Sequence, residues 1–426
     1  MSQKSIAAAL EILRTNDRGE FSVPTHGLYP VQFNWDSAFA SLGYVLFDPE
    51  RAYREVELLL EAQWQDGMVP HIIFRGDHDG YFPGPDVWAT GQPTPTSGIT
   101  QPPVAAAIIR RLIEAGVQVS TERLRVSVER LDRWHEWFTQ ARQCADSSAI
   151  FIVHPWESGR DNLTDWDHAM STIVPDTGLG EYKRRDLEHV NAAQRPTKQE
   201  YDRYLTILHH GRKIQWDQWE MGRTSPFRMI DPGITAMLLR SERDLIWLQT
   251  QVGLDFTATR ARIDRLEDGW RSLWNPKVHA FTSRSMSDGR PNDTITAASF
   301  LGPYAGVIDH LGETLDHFDR IAQLVDFMMP SFDPQCNGFD SQRYWRGPVW
   351  AVVNNRIGVG LREIGEVDRA ERVRRDTARL CENADFFEYF DPISGQGLGG
   401  KSFTWTASVY LDWAVDRGSL EQVMKA

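Results

Sequence analysis

Apolar residues recur at intervals of three and four along most of the chain, the period of one helix face. Ile6, Leu10 and Leu13 share a face within residues 5–14. The apolar run 38–46 follows Asp36, an acid placed where a helix cap or first turn favours one. After Pro49, Ala52, Val56, Leu59 and Leu60 repeat at helical spacing. The same spacing predicts helices from Gln101-Pro102-Pro103 through Leu112, over 124–138, and from Pro196 through Tyr201, Tyr204 and Leu205. Further helices are predicted over 233–247, 254–274, 294–311, 312–327, 347–364, 366–383 and 402–415. Alternation of the strand kind is nearly absent.

Two stretches have no period. Residues 179–193 are charged and irregular. Residues 75–100 are rich in Gly and Pro and carry Tyr81, Phe82 and Trp88. A loop this long is either functional or a loose surface excursion, and its aromatics point to a lid. Loops of aromatics and acids also recur at one end of successive helix pairs: Trp35-Asp36, 64–66, 81–85, 156–161, 345–350 and 387–391. About a dozen helices joined this way predict an all-α chain. The expected architecture is an (α/α)6 barrel, a toroid of six helical hairpins, whose long loops converge on one funnel. Residues 1–426 are read as a single domain, with a generic helical bundle as the alternative.

Composition narrows the function classes. A net charge of −13 leaves no basic stripe to displace counterions from nucleic acid. An anionic substrate would need a local Arg. No long apolar run suggests a membrane span, and residues 1–15 read as an amphipathic helix rather than a leader. Cys144, Cys336 and Cys381 are odd in number and far apart, which suits a reducing cytoplasm. The 12 histidines form no metal-ligand spacing, His209-His210 reading as a solvated helix end. No phosphate-cradling glycine motif is present. Neither metal nor cofactor is therefore expected, and a homo-oligomer stays open. Half of the 16 tryptophans adjoin a Gly, Pro or acid.

The densest of these clusters is 154–167, H-P-W-E-S-G-R-D-N-L-T-D-W-D. Pro155 and Gly159 argue for a loop. Trp156 and Trp166 offer flat faces beside Glu157, Asp161, Asp165 and Asp167. A carboxyl held against indole has its pKa raised and can donate a proton near neutral pH. Stacking faces beside acids also suit a sugar. Asp161 is the candidate general acid of a glycosidase, with Glu157 as fallback donor, unless these acids merely cap the next helix. A glycosidase needs a second carboxylate. Glu388 is the best candidate, in F-F-E-Y-F-D-P before a Gly-rich loop. Only a closed architecture could bring the two together across more than half the chain.

The chain resembles glycoside hydrolase family 63, and within it the bacterial mannosylglycerate and glucosylglycerate hydrolases. The resemblance rests on ordered motifs: L-Y-P with W-D at 28–36, Q-W-Q-D-G-M-V-P-H-I, D-G-Y-F-P-G-P, T-S-G-I-T-Q-P-P, H-P-W-E-S-G-R-D-N, R-P-T-K-Q-E-Y, S-P-F-R, Y-W-R-G-P-V-W and F-F-E-Y-F-D-P. It implies an (α/α)6 catalytic domain that inverts at the anomeric carbon, with Asp161 as general acid and Glu388 as general base. It implies that Tyr29, Trp35, Asp36, Tyr81, Gln101, Trp156, Trp345 and Trp350 surround the sugar, and that Arg195 and Tyr201 lie near a glycerate carboxylate. Two positions depart from the pattern: Leu163-Thr164 replaces a Ser-Pro-like pair, and Phe33 replaces a Trp. The expected pKa values diverge, Asp161 raised and Glu388 ordinary, with the carboxyls about 6.5–9.5 Å apart to admit water. Asp36 is assigned to sugar hydroxyls as a charged acceptor, Glu157 to loop backbone and Asp167 to structure. The expected substrate is a small α-glycoside of glycerate. Alternatives are hydrolysis of another small glucoside or oligosaccharide, a sugar epimerase or isomerase, which would need a base pair commonly made of histidines, and a binding protein that uses the tryptophans alone.

Overall fold

In the computed structural model the chain starts with α1 (Ser2–Asn16), which buries Ile6, Leu10 and Leu13 on one face. Residues 2–76, 78, 80–184, 187, 190–383 and 385–425 are described. Asp77 and Asp79 of the expected lid, and Arg185, Asp186, Glu188 and His189 of the unpatterned 179–193 stretch, lie outside them.

Helices then alternate between two characters. α2 (Asn34–Tyr44) is buried at every position, as a helix surrounded by other helices must be. α3 (Pro49–Glu61) is amphipathic, begins with Pro49, and has Asp48 accepting from the Arg51 amide at 3.0 Å. α4 (Ala105–Glu114) and α5 (Thr121–Ala141) follow, Ser120 capping the latter. α6 (Lys198–Lys213) opens with a capping box of Thr197 and Glu200. α7 (Pro232–Gln251), capped by Asp231, pairs with α8 (Thr257–Arg271). α9 (Gly302–Ala305) precedes α10 (Leu311–Ala322). α11 (Ala351–Glu363) pairs with α12 (Val367–Asn383), and α13 (Thr404–Val409) returns to α1.

The packing order closes a ring: α2 against α4, α4 against α7, α7 against α9, α9 against α11, α11 against α13, and α13 back against α2. These six inner elements have α3, α5, α8, α10, α12 and α1 as their outer companions, the (α/α)6 barrel expected from the sequence. The strands among the described residues are two residues long and form three antiparallel pairs and one three-stranded sheet that tie the connecting loops. One pair joins Phe151–Ile152 to Met229–Ile230, and another joins Tyr389–Phe390 to Gly397–Leu398. Among the described residues no helix is long and apolar enough to cross a membrane.

The predicted helix over 294–311 is not formed as one piece. A 3-10 turn at Ala297–Phe300 and the four residues of α9 replace it. Gly302-Pro303 interrupts the pattern, and Gly306 ends α9 at φ 78°. α9 still completes the ring because Gly360 of α11 lets the backbones meet: a Cβ there would collide with the Tyr304 amide nitrogen. The segments Gln218–Thr224 and Arg417–Lys425 are helical beyond what the apolar spacing predicts.

Residues 75–100 are more ordered than one long loop. They contain a short helix, Pro85–Trp88, whose Trp88 is fully buried against His71, Trp156 and Trp216. The indole of Trp88 donates to the Pro83 carbonyl at 3.1 Å. The Phe74 amide donates to Pro95, at the far end of the segment.

Candidate active site

The inner helices start at one end of the barrel, where their N-terminal residues share a cavity. Trp35 and Asp36 come from the first turn of α2, Gln101 from just before α4, Trp350 from the cap of α11 and Trp405 from α13. All twelve residues singled out from the sequence line this one cavity: Tyr29, Trp35, Asp36, Tyr81, Gln101, Trp156, Asp161, Arg195, Tyr201, Trp345, Trp350 and Glu388. Its volume is about 110 Å³.

The 154–167 loop is built to deliver Asp161. His154 accepts from the Trp156 amide at Nδ1 (3.1 Å) and donates from Nε2 to the Tyr204 carbonyl (3.1 Å). Burial holds this ring neutral, its pKa lowered to about 3. Residues Pro155–Ser158 form a 3-10 turn ended by Gly159 at φ +67°. A Cβ on Gly159 would lie 2.7 Å from the Trp35 indole, so only glycine lets the loop pass this tryptophan. Glu157 faces away from catalysis: it accepts from the Val153 amide at 2.9 Å and pairs with buried Arg142 at 3.0 Å. Asp165 is taken by Ser283 and Thr294, and Asp167 by Arg346 at 2.6 Å. Asp161 is left facing the cavity. Its backbone carbonyl accepts from the Tyr204 hydroxyl at 2.7 Å, and its Oδ2 accepts from the Tyr344 hydroxyl at 3.2 Å. Burial pushes its pKa up to about 7, against the smaller opposing effects of Tyr344 and Arg195.

Glu388 lies at the start of the second loop. Its amide donates to the Gly400 carbonyl at 2.8 Å, and the Gly400 amide donates to Oε2 at 3.0 Å. Gly399 has φ +73° and brings its Cα under the carboxylate, where a Cβ would stand 2.5 Å from Oε2. Arg195 Nη2 pairs with the same oxygen at 2.6 Å, and Tyr29 donates to Oε1 at 3.4 Å. Glu388 does not keep an ordinary pKa. Burial raises it, and Arg195, the Gly400 amide and Tyr29 restrain the rise.

Asp36 is a third buried carboxyl in the cavity. Burial, then the nearby Glu388 charge, hold its pKa well above the usual range. The upward shift runs against the charged acceptor expected from the sequence, since a protonated carboxyl donates as well as accepts. Gln101 accepts from the Trp35 amide at 3.2 Å. Trp345 and Trp350 stack at 3.8 Å and 5°, Trp350 stacks on Tyr389, and Trp35 leans against Trp345 and Trp405. The result is a rigid aromatic wall.

Arg195 sits in the site as a bridge. Besides Glu388 it donates to the Tyr29 hydroxyl at 3.0 Å and lies 4.6 Å over the Tyr344 ring, while its Nε is buried without a partner among the described residues. Sequence reasoning missed Tyr344, the donor to Asp161, although it immediately precedes Trp345 in the Y-W-R-G-P-V-W motif. It also missed Arg184, which lines the cavity, donates to the Pro196 carbonyl at 2.6 Å and covers Tyr201 at 4.3 Å. Nothing in the irregular stretch around Arg184 could have marked it. Phe33 packs edge-on against Tyr29, His71 and Tyr81, so this departure from the family pattern lies in the cavity wall. Among the described residues no cluster of His, Cys, Asp or Glu could hold a metal ion.

Comparison with known proteins agrees with this arrangement. The model of the mannosylglycerate hydrolase MGH1-like glycoside hydrolase domain matches residues 29–406. A mannosylglycerate hydrolase of Thermus thermophilus is 41% identical over 414 residues, covering 95% of this chain and 99% of that protein. A glucosylglycerate hydrolase of Mycolicibacterium hassiacum is 32% identical over 437 residues, covering 96% and 97%. The crystal structure of a family 63 mannosylglycerate hydrolase from a second strain of Thermus thermophilus, in complex with Tris and D-glycerate, superposes with a TM-score of 0.92 at 40% identity, covering 96% of this chain and 100% of that one. The chain is a glycoside hydrolase and belongs to the MGH1-like branch of glycoside hydrolase family 63.

Proposed function

We propose that the enzyme hydrolyses a small α-glycoside of glycerate, mannosylglycerate or glucosylglycerate, to the free sugar and glycerate with inversion at the anomeric carbon. Asp161 protonates the glycosidic oxygen while Glu388 takes a proton from the attacking water. The observation that carries this reading is the unequal treatment of two carboxyls in one enclosed cavity. Asp161 has a pKa of about 7 and, among the described residues, a single neutral side-chain donor, so a population remains protonated at neutral pH. Glu388 has a guanidinium and an amide at hydrogen-bond distance, which favour the ionised form needed of a base.

The tryptophan wall suits the apolar face of the sugar ring, and Asp36 and Gln101 suit its hydroxyls. The Arg195 Nε, Tyr201 and Arg184 form the end of the cavity suited to a carboxylate, which a planar guanidinium binds well. The names of the relatives support glycerate as the aglycone and leave both glucose and mannose as the sugar. Tyr81, Phe82 and Pro83 line the same cavity and act as the lid, narrower than the 75–100 expected because Trp88 anchors its far side. Closure should slow amide exchange in this part when ligand binds. A reducing cytoplasm suits the three unpaired cysteines, two of them buried.

The test is a panel of α-glucosides and α-mannosides, with and without a glycerate aglycone, assayed for released sugar. Preferred cleavage of one glycosyl-glycerate is expected. Equal or better cleavage of glycosides lacking the carboxylate would overturn the aglycone assignment.

A further inference from the structure

The ring of inner helices has a second end. There a cleft of about 910 Å³ is lined by residues of α2, α4, α7, α9, α11 and α12 and of the segment after α13. Along α11 this end lies roughly 18 Å from the tryptophan wall, counting from Trp350 to Arg362 at the helical rise. Seven arginines face the cleft against five carboxylates, in a protein whose net charge is −13. The carboxylates already have partners. Asp244, for example, holds Arg110 at 2.9 Å and Arg240 at 2.8 Å, and Asp412 holds Arg111 at 2.9 Å.

Arg356, Arg362 and Arg417 have no ion pair among the described residues, and of these three only Arg356 is buried, at 6% exposed. Its guanidinium lies 4.5 Å over Phe39 and 5.4 Å over Tyr304, and one nitrogen reaches the Tyr304 hydroxyl at 3.3 Å. Its Nε and Nη2 have no hydrogen-bond partner among the described residues. Aromatic faces compensate part of the charge, but the N–H edge is the strong donor of an arginine. A buried cation with idle donors is disfavoured unless a counter-charge completes it. Helix dipoles do not account for this residue. Arg111 and Arg362 sit in the last turns of α4 and α11, where a cation answers the helix C-terminus. Arg356 sits mid-helix and buried.

We propose that this end of the barrel binds a small oxyanion, a phosphate or carboxylate group, at Arg356, whose shielded and unpartnered Nε and Nη2 turn to the cleft when the anion binds. The site is separate from the catalytic cavity and does not depend on the identity of the glycoside. The cleft is wide enough for the anionic group to be part of a larger metabolite.

The test is thermal unfolding of the full chain in inorganic phosphate, in malonate, and in chloride at matched ionic strength. The expected result is a saturable rise of a few degrees over chloride in at least one arm, and the stronger arm names the group. Asp161→Asn should keep that rise and Arg356→Met should lose it. No rise over chloride in either arm, or an equal rise in Arg356→Met, overturns the proposal. Should Arg356→Met fail to fold, wild-type crystals soaked in tungstate decide the matter. An anomalous peak within hydrogen-bond distance of the Arg356 guanidinium supports the site, and its absence there overturns it.

Discussion

The loop carrying Asp161 and the loop carrying Glu388 line one cavity, yet they surround their carboxyls differently. The first leaves Asp161 one phenolic donor at 3.2 Å. The second supplies Glu388 with a guanidinium at 2.6 Å, an amide at 3.0 Å and a phenol at 3.4 Å. Both side chains are buried, and burial raises both pKa values. Depth alone therefore does not assign the roles. The number and charge of the donors differ, and on the proposed reading that difference makes Asp161 the proton donor and Glu388 the base.

Removing either carboxyl should erase the contrast and have the largest effect. Asp161→Asn and Glu388→Gln keep shape while removing the proposed proton donor and the proposed base. Each should lower kcat/KM on the glycosyl-glycerate by at least about 10³-fold, towards the upper part of the range for a general acid or base. Circular dichroism should show the fold intact.

Arg195→Ala strips Glu388 of its charged partner and should be next. The loss should appear on a glycosyl-glycerate and on the matching glycosyl-glycerol, because the base itself is affected. It should be larger on the former, where the Arg195 Nε also meets the carboxylate. Arg184→Met leaves the Glu388 contacts alone. It should cost about 10- to 100-fold on the glycerate substrate and little on the glycerol one, the order expected for losing one hydrogen bond to a charged group. Equal losses on both substrates would remove Arg184 from carboxylate recognition.

The smallest effect is on stability, and its sign follows from the raised pKa of Asp161. Between its unfolded value near 3.8 and its folded value of about 7, the folded chain binds more protons than the unfolded one. Stability from this group is therefore fully present below pH 3.8 and is lost as pH rises through 7. Asp161→Asn removes that loss. Its melting temperature should exceed that of the wild type by a few degrees at about pH 8 and converge with it towards about pH 4. A variant less stable than the wild type under the alkaline condition would show that Asp161 is not carrying a burial penalty.

Much of this was legible in the sequence, for physical reasons. Helical periodicity locates the amphipathic outer helices well, because a solvent face and a core face alternate along them. It also revealed α2, whose flanking Asp36 and apolar run are distinctive. It failed at α9, where Gly302-Pro303 and the contact with Gly360 determine the structure and neither is periodic. The cavity-lining residues were legible where aromatics and acids crowd together, as at 154–167 and 387–391. The pairing of Arg195 with Glu388 was not legible, since it joins distant segments through ring closure. Nor was the rise in the Glu388 pKa, which depends on how deeply the completed barrel buries it.

The central claim is the division of labour between the two carboxyls, and a substrate that needs no acid tests it most directly. An α-glycosyl fluoride of the preferred sugar loses fluoride without protonation, so its hydrolysis needs the base and not the proton donor. The account predicts that Asp161→Asn regains substantial turnover on the fluoride while Glu388→Gln remains inactive on it. Rescue of Glu388→Gln with none for Asp161→Asn would reverse the assignment, and failure of both would contradict the acid role of Asp161.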